Sequence, residues 1–252
     1  VSAIEIVVIT AMAEEMTPFL DRASLVGDPE GVGNATHRTA VINGFSVLLV
    51  QGGIGLVNAA GAATSSILVA KSDRERTLPP LVISAGTAGG LGAGVRVGDV
   101  VIGTEHINID ADARAFGYVL GQVPGMPACY PVAPSLVQAS AVAPPAHRLG
   151  QTVHQGLIVS SYSFVGRDRA ERITSQFAHV LATDMESSAI AQTCYVHNAA
   201  FLAVRGVSDL CGPASDEDFL THVDDAAERS AEIATVLFKP LIASLRSAAN
   251  AF

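Results

Sequence analysis

Residues 180–209 read VLATDMESSAIAQTCYVHNAAFLAVRGVSD. The apolar run 180–182 has the character of a buried strand, 186–197 follow as a helix, and 201–204 form a second apolar strand. Strand, helix and strand in that order predict an α/β protein with a largely parallel sheet. A carboxylate follows each strand, Glu186 after the first and Asp209 after the second. A charge at the mouth of a strand is costly to desolvate, and open α/β sheets bind ligands in the crevice outside the strand ends. Two carboxyls there can divide acid and base roles by environment. This points to an enzyme site without choosing the reaction. Plainer readings stand beside it. Glu186 can be a first-turn helix residue paired with Arg205, and Asp209 can cap a short turn. Asp184 has the residue type of an N-cap for the helix that contains Glu186.

The same alternation extends outward. Residues 4–10 read as a first buried strand, and 13–20 have helical spacing with Glu14 and Glu15 in the first turn. Pro18 is tolerated there only near a helix start. Strands over 36–42 and 45–51 flank Asn43-Gly44, a strong hairpin signal. Gly52-Gly53-Ile54-Gly55 leads into a long Ala-rich helix, 56–71. A strand over 81–85 runs into the turn Gly86-Thr87-Ala88-Gly89-Gly90, and another strand covers 100–103. Residues 105–130 mix charge, aromatics, Gly and Pro without a period, which marks a functional or interface loop. Helices are expected over 134–143, 166–177 and 216–249, the last interrupted or kinked at Pro240. A strand is expected over 156–159, before a turn holding Ser160, Ser161 and Ser163. No linker or repeat divides the chain, so residues 1–252 are expected to form one domain.

Composition narrows the function. The chain has 252 residues, 49% of them hydrophobic, no Trp and few aromatics, so the core is built from Ala, Val, Ile and Leu. Acidic residues outnumber basic ones 24 to 15, a net charge of −9, which argues against a nucleic-acid partner and against a highly phosphorylated substrate. Cys129, Cys194 and Cys211 are widely spaced, without CxxC. A reducing, cytoplasmic compartment is expected, with Cys194 in the core. No apolar run reaches ~18 residues, so no membrane span is expected. The first residues lack the basic stretch of a signal peptide.

The remaining motifs are weak one by one. The turn 86–90 could cradle an anion with backbone N–H groups, or could simply need positive φ. It carries no Walker A lysine. One of Glu14 and Glu15 complements the helix dipole, and the other can point into the crevice as a general base. The seven histidines, His147 among them, have no metal-ligand spacing, so no metal and no cofactor are expected. There is no Gly-x-Ser-x-Gly elbow.

Taken in order, six segments resemble the 5′-methylthioadenosine/S-adenosylhomocysteine nucleosidases of the purine nucleoside phosphorylase-like superfamily. They are Ala11-Met12-Ala13-Glu14-Glu15; Gly53-Ile54-Gly55; residues 86–91 through 97–101; Asp110-Ala111-Asp112 through Phe116-Gly117-Tyr118 and residues 121–125; residues 156–160; and Asp184-Met185-Glu186 with residues 204–209. The resemblance spans residues 6–219, and the Asp-Ala-Asp to Phe-Gly-Tyr segment is its most specific part. It implies a three-layer α/β/α fold with a twisted, mostly parallel or mixed central sheet. It also implies hydrolysis of the N-glycosidic bond of a 5′-substituted adenosine. By that resemblance Glu15 activates the attacking water, Asp209 supports protonation at purine N7, and Glu186 binds the ribose 2′-hydroxyl with Met185 against the sugar. Phe164 stacks on the purine while the backbone of Ser163 and Val165 reads its edge. Thr87 and Arg205 line the ribose end, and Met12 and Ile54 line the 5′ pocket. Phe116, Tyr118 and Pro124 belong to a segment, 110–125, that closes the neighbouring site across a homodimer. The stretch 211–218 is shorter than in typical bacterial members, which leaves Phe219 as the candidate aromatic of the outer 5′ pocket.

Two other reactions fit the same fold: phosphorolysis of a purine nucleoside, and hydrolysis of aminodeoxyfutalosine. Phosphorolysis calls for convergent Arg residues near the Gly-rich turns, and none is found around 52–55 or 86–90. The order of preference among methylthioadenosine, S-adenosylhomocysteine, 5′-deoxyadenosine and aminodeoxyfutalosine stays open at this level.

Overall fold

Strand β1 (Ile6–Thr10) is buried along its whole length because it lies in mid-sheet, parallel to β5 (Phe45–Gln51) on one side and β6 (Leu81–Gly90) on the other. The structure, a computed structural model, describes residues 3–72, 78–141 and 152–250. Side chains of β1 alternate between two cores, as a strand requires. Ile6 and Val8 pack with Phe19, Leu136, Leu237 and Phe238. Val7 and Ile9 pack with Ala59, Ala63, Ile67 and Ile190. One helical layer therefore contains α1 (Ala13–Arg22), α3 (Pro134–Ser140) and α6 (Ser215–Ala249), and the other α2 (Leu56–Lys71) and α5 (Ser187–His197). Cys194 is buried in the second core.

The sheet is mixed and has 11 strands among the described residues. Its parallel heart is β5, β1, β6 and β11 (Ala200–Asp209). Beyond β5, the Asn43-Gly44 hairpin turns the chain back into antiparallel β4 (Ala35–Ile42), with positive φ at both turn residues. The short β2 (Leu25–Val26) and β3 (Glu30–Val32) add to β4 and carry too little pattern to be read from sequence. Beyond β11 lie β7 (Val100–Asn108), β9 (Val153–Ser160) and β10 (Val180–Asp184), and β8 (Tyr130–Pro131) pairs with β7. The far end of β6 then pairs antiparallel with β10, Thr183 opposite Gly89 and Ala182 opposite Gly90. This closes β6, β11, β7, β9 and β10 into a ring.

Several expectations need correction. Residues 86–90 are not a turn but the second half of β6, because neighbouring strands on both sides pair with this stretch. Residues 105–108 belong to β7, and one turn of 3₁₀ helix, Arg114–Phe116, lies inside the segment that followed as a loop. Of the interruption or kink expected at Pro240, the interruption is absent: α6 continues through it, with Leu237, Phe238, Leu241 and Ile242 buried on both sides. Pro18 likewise sits inside α1 rather than at its start. The expected helix over 134–143 ends at Ser140, and its last residues, 142–143, lie outside the described residues, as does His147. Helix α4 (Arg167–Gln176) packs Ile173 against Val159, Val165 and Phe177.

Candidate active site

Three chain reversals bring the carboxylates together. The first follows β1. Met12 is the N-cap of α1, and Glu15, three residues on, folds back as in a capping box. Its Oε2 accepts the N–H groups of Ala11 (2.9 Å) and Met12 (3.2 Å). Its Oε1 reaches β6 and accepts the Thr87 N–H (2.8 Å) and hydroxyl (3.0 Å). Glu15 is 2% exposed, whereas Glu14 faces solvent, so the pair divides into an inward carboxylate and a helix-start charge. Gly86 makes the approach possible: with φ at +153°, a Cβ there would lie 2.4 Å from Glu15 Oε1 and 2.7 Å from Arg205 Nη1.

The second reversal follows β10. Asp184 Oδ1 accepts the N–H groups of Glu186 (3.3 Å) and Ser187 (3.1 Å) and the Ser160 hydroxyl (2.5 Å), and Oδ2 accepts the Ser187 hydroxyl. Asp184 thus satisfies the start of α5 from two residues ahead of the N-cap, which is Glu186 itself. Glu186 Oε1 accepts the Gly55 N–H at 3.0 Å, tying the site to the start of α2. Burial pushes the Glu186 carboxyl up to about 7; Arg205 opposes the rise, while the charges of Asp184 and Glu15 add to it.

The third reversal ends β11. Arg205 points into the protein at 1% exposure. Its Nε lies 2.9 Å from Asp184 Oδ2, its Nη1 3.6 Å from Glu186 Oε2, and its Nη2 donates to Ser84 and Ser187 hydroxyls. Glu186 lies within ion-pair reach of Arg205, as its plain reading had it, with Asp184 the closer partner, and Glu186 also lines the cavity described next. Asp209 Oδ1 accepts the Cys211 N–H (2.9 Å), and Oδ2 pairs with the Ser208 hydroxyl (3.1 Å). Burial raises the Asp209 carboxyl above the ordinary range despite these donors and the Cys211 thiol; the charge of Asp218 adds to the rise.

These groups line one cavity of about 360 Å³. Glu15, Thr87, Met185, Glu186 and Asp209 line it, together with Ser163, Phe164, Val165, Met12 and Ile54. Phe164 meets Phe219 edge-on, ring centroids 6.1 Å apart, so Phe219 does reach the cavity. Arg205 stands behind the wall rather than in it. Phe116, Tyr118 and Pro124 do not line this chain's cavity, and Phe116 is 82% exposed. Sequence reasoning did not single out Ala88, Thr183, Cys211, Asp216 or Leu220 as lining residues. Among the described lining residues five are Asp or Glu (Glu15, Asp184, Glu186, Asp209 and Asp216) and none is Lys, Arg or His. Among the described residues no group of three or more His, Cys, Asp or Glu is placed to hold a metal, and no helix is long and apolar enough to cross a membrane. A carboxyl whose proton affinity burial raises, an acceptor carboxylate and an aromatic face around one hollow suit acid-assisted cleavage of a bond to a flat heteroaromatic leaving group.

The family model described as the phosphorylase superfamily matches residues 5–239. A 5′-methylthioadenosine/S-adenosylhomocysteine nucleosidase of Anoxybacillus flavithermus is 37% identical over 237 residues, 94% of this chain and 98% of that protein. The crystal structure of the nucleosidase of that name from Neisseria meningitidis, in complex with methylthio-immucillin-A, superposes with a TM-score of 0.84 at 36% identity, covering 93% of this chain and 98% of that one. A futalosine hydrolase of Helicobacter pylori also superposes at 0.84, covering 94% and 98%, but at 22% identity it shares the fold alone.

Proposed function

We propose, for a chain that belongs to the phosphorylase superfamily and within it to the 5′-methylthioadenosine/S-adenosylhomocysteine nucleosidases, that this cavity hydrolyses the N-glycosidic bond of those two nucleosides and releases adenine. The observation that carries hydrolysis over phosphorolysis is the charge of the wall, five carboxylates and no cation. A phosphate co-substrate would find no cation among the described lining residues to pair with, while water needs none.

The roles follow from chemistry at each position. Cleavage of the C1′–N9 bond leaves an oxocarbenium-like sugar and sends the electron pair into adenine, a poor leaving group unless it is protonated. Asp209, whose hold on a proton burial strengthens, delivers that proton at N7. Glu15, whose oxygens both serve as acceptors, takes a proton from the water that attacks C1′. Glu186 holds the ribose 2′-hydroxyl with Met185 beneath the sugar, and Thr87 orients Glu15. Arg205 works from behind, fixing Asp184 and Glu186. Phe164 stacks on the purine, Ser163 and Val165 read its edge through their backbone, and Met12, Ile54 and Phe219 receive the 5′ group.

Residues 1–252 act as one catalytic unit, and two such units pair. The exposed segment 110–125, with Phe116, Tyr118 and Pro124, closes the partner's cavity; the 82% exposure of Phe116 supports this reading. The free cysteines suit a cytoplasmic enzyme. The reaction is tested by measuring adenine release from methylthioadenosine with and without phosphate.

A further inference from the structure

Asp110 has no role in the chemistry above, yet its carboxylate holds the turn that carries the purine face. Oδ1 accepts the Ser161 hydroxyl at 3.0 Å and pairs with Arg169 Nη2 at 2.7 Å; Oδ2 accepts the Tyr162 N–H at 2.7 Å. Ser161 is fully buried. A hydroxyl has one hydrogen to give and two lone pairs. Here the hydrogen goes to Asp110, and the lone pairs receive the Ser163 N–H (3.0 Å) and Arg169 Nη2 (2.5 Å). Asp110 therefore sets the direction of the hydroxyl that fixes Ser163, the residue before Phe164.

The second arm runs through Tyr162. Its hydroxyl accepts the Val57 N–H at 2.8 Å, at the start of α2. Its ring lies against Gly55, where a Cβ would sit 3.0 Å from Tyr162 Cε1. Gly55 in turn donates to Glu186. Phe164 is about half exposed, so packing alone does not fix it. From these contacts we infer that Asp110 is a positioning residue for purine binding: it orients the 161–165 turn and, through Tyr162, the Gly55 donor of Glu186. The inference rests on the nucleosidase reading of the cavity. Asp110 also opens the segment assigned to the partner's site, so closure of that segment and order of the purine face share one anchor.

The test is calorimetric titration of adenine into wild type, Asp110→Asn and Asp110→Ala, with steady-state kinetics on methylthioadenosine. For Asp110→Ala, adenine affinity is expected to fall about tenfold, the scale of one charge-assisted hydrogen bond. KM should rise in parallel with kcat little changed. Asp110→Asn keeps one acceptor and should fall between. Wild-type adenine affinity in Asp110→Ala overturns the inference whatever its melting temperature, and so does a fall in kcat without loss of adenine affinity. If Asp110→Ala does not fold, unchanged affinity in Asp110→Asn overturns it instead. A wild type that binds adenine but cleaves no methylthioadenosine overturns the functional reading alone, and the adenine titration still decides the role of Asp110.

Discussion

Thr87 gives Glu15 Oε1 two hydrogen bonds, 2.8 Å from its N–H and 3.0 Å from its hydroxyl. With the two N–H groups on Oε2, the carboxylate is held at four points before any substrate arrives. Preorganisation of this kind moves the cost of orienting the base into folding, where it is met once.

Glu15→Gln should lower kcat for adenine release by about 10²–10⁴-fold, the usual contribution of a general base. The amide keeps the size but not the proton affinity, and its NH₂ faces donors. Circular dichroism should show a folded protein, and single-turnover assays should locate the loss in the chemical step.

Asp209 supplies a pH dependence. Burial raises its carboxyl, and the protonated form is the active one. Activity should therefore be full below the raised value and decline as pH increases through it. In a kcat/KM profile, Asp209→Asn should lower the plateau and remove that alkaline limb. A limb that survives the substitution assigns the titration to another group.

Arg205→Met should destabilise the fold by about 3–5 kcal/mol, because the buried Asp184 would lose its counter-charge. Urea denaturation checks this, read as a lower midpoint with an unchanged slope.

The sequence carried the alternation of strands and helices, the Asn43-Gly44 hairpin and the α2 limits, because each rests on local periodicity or turn chemistry. Glycine misled at 86–90. Local propensity reads Gly-rich residues as a turn, but tertiary pairing makes them a strand. Small residues are required there because other side chains occupy the space: a Cβ at Gly89 would lie 2.5 Å from Cys211 Sγ and 3.1 Å from Asp209 Oδ1. Of the site, the carboxylates were visible as charges at strand ends, but their division of labour came only from the family resemblance. Thr183 and Cys211 join the cavity through ring closure and a loop with φ of +53° at Cys211, neither of which has a sequence pattern. Asp216 is the first of three consecutive acids inside the 211–218 stretch, and nothing in the sequence separates it from Glu217 and Asp218.

The central claim is that water, not phosphate, accepts the sugar. Adenine release from methylthioadenosine should therefore proceed in phosphate-free buffer at the rate seen with phosphate, leaving a free reducing thio-sugar. A requirement for phosphate, with a sugar 1-phosphate as product, would contradict the account.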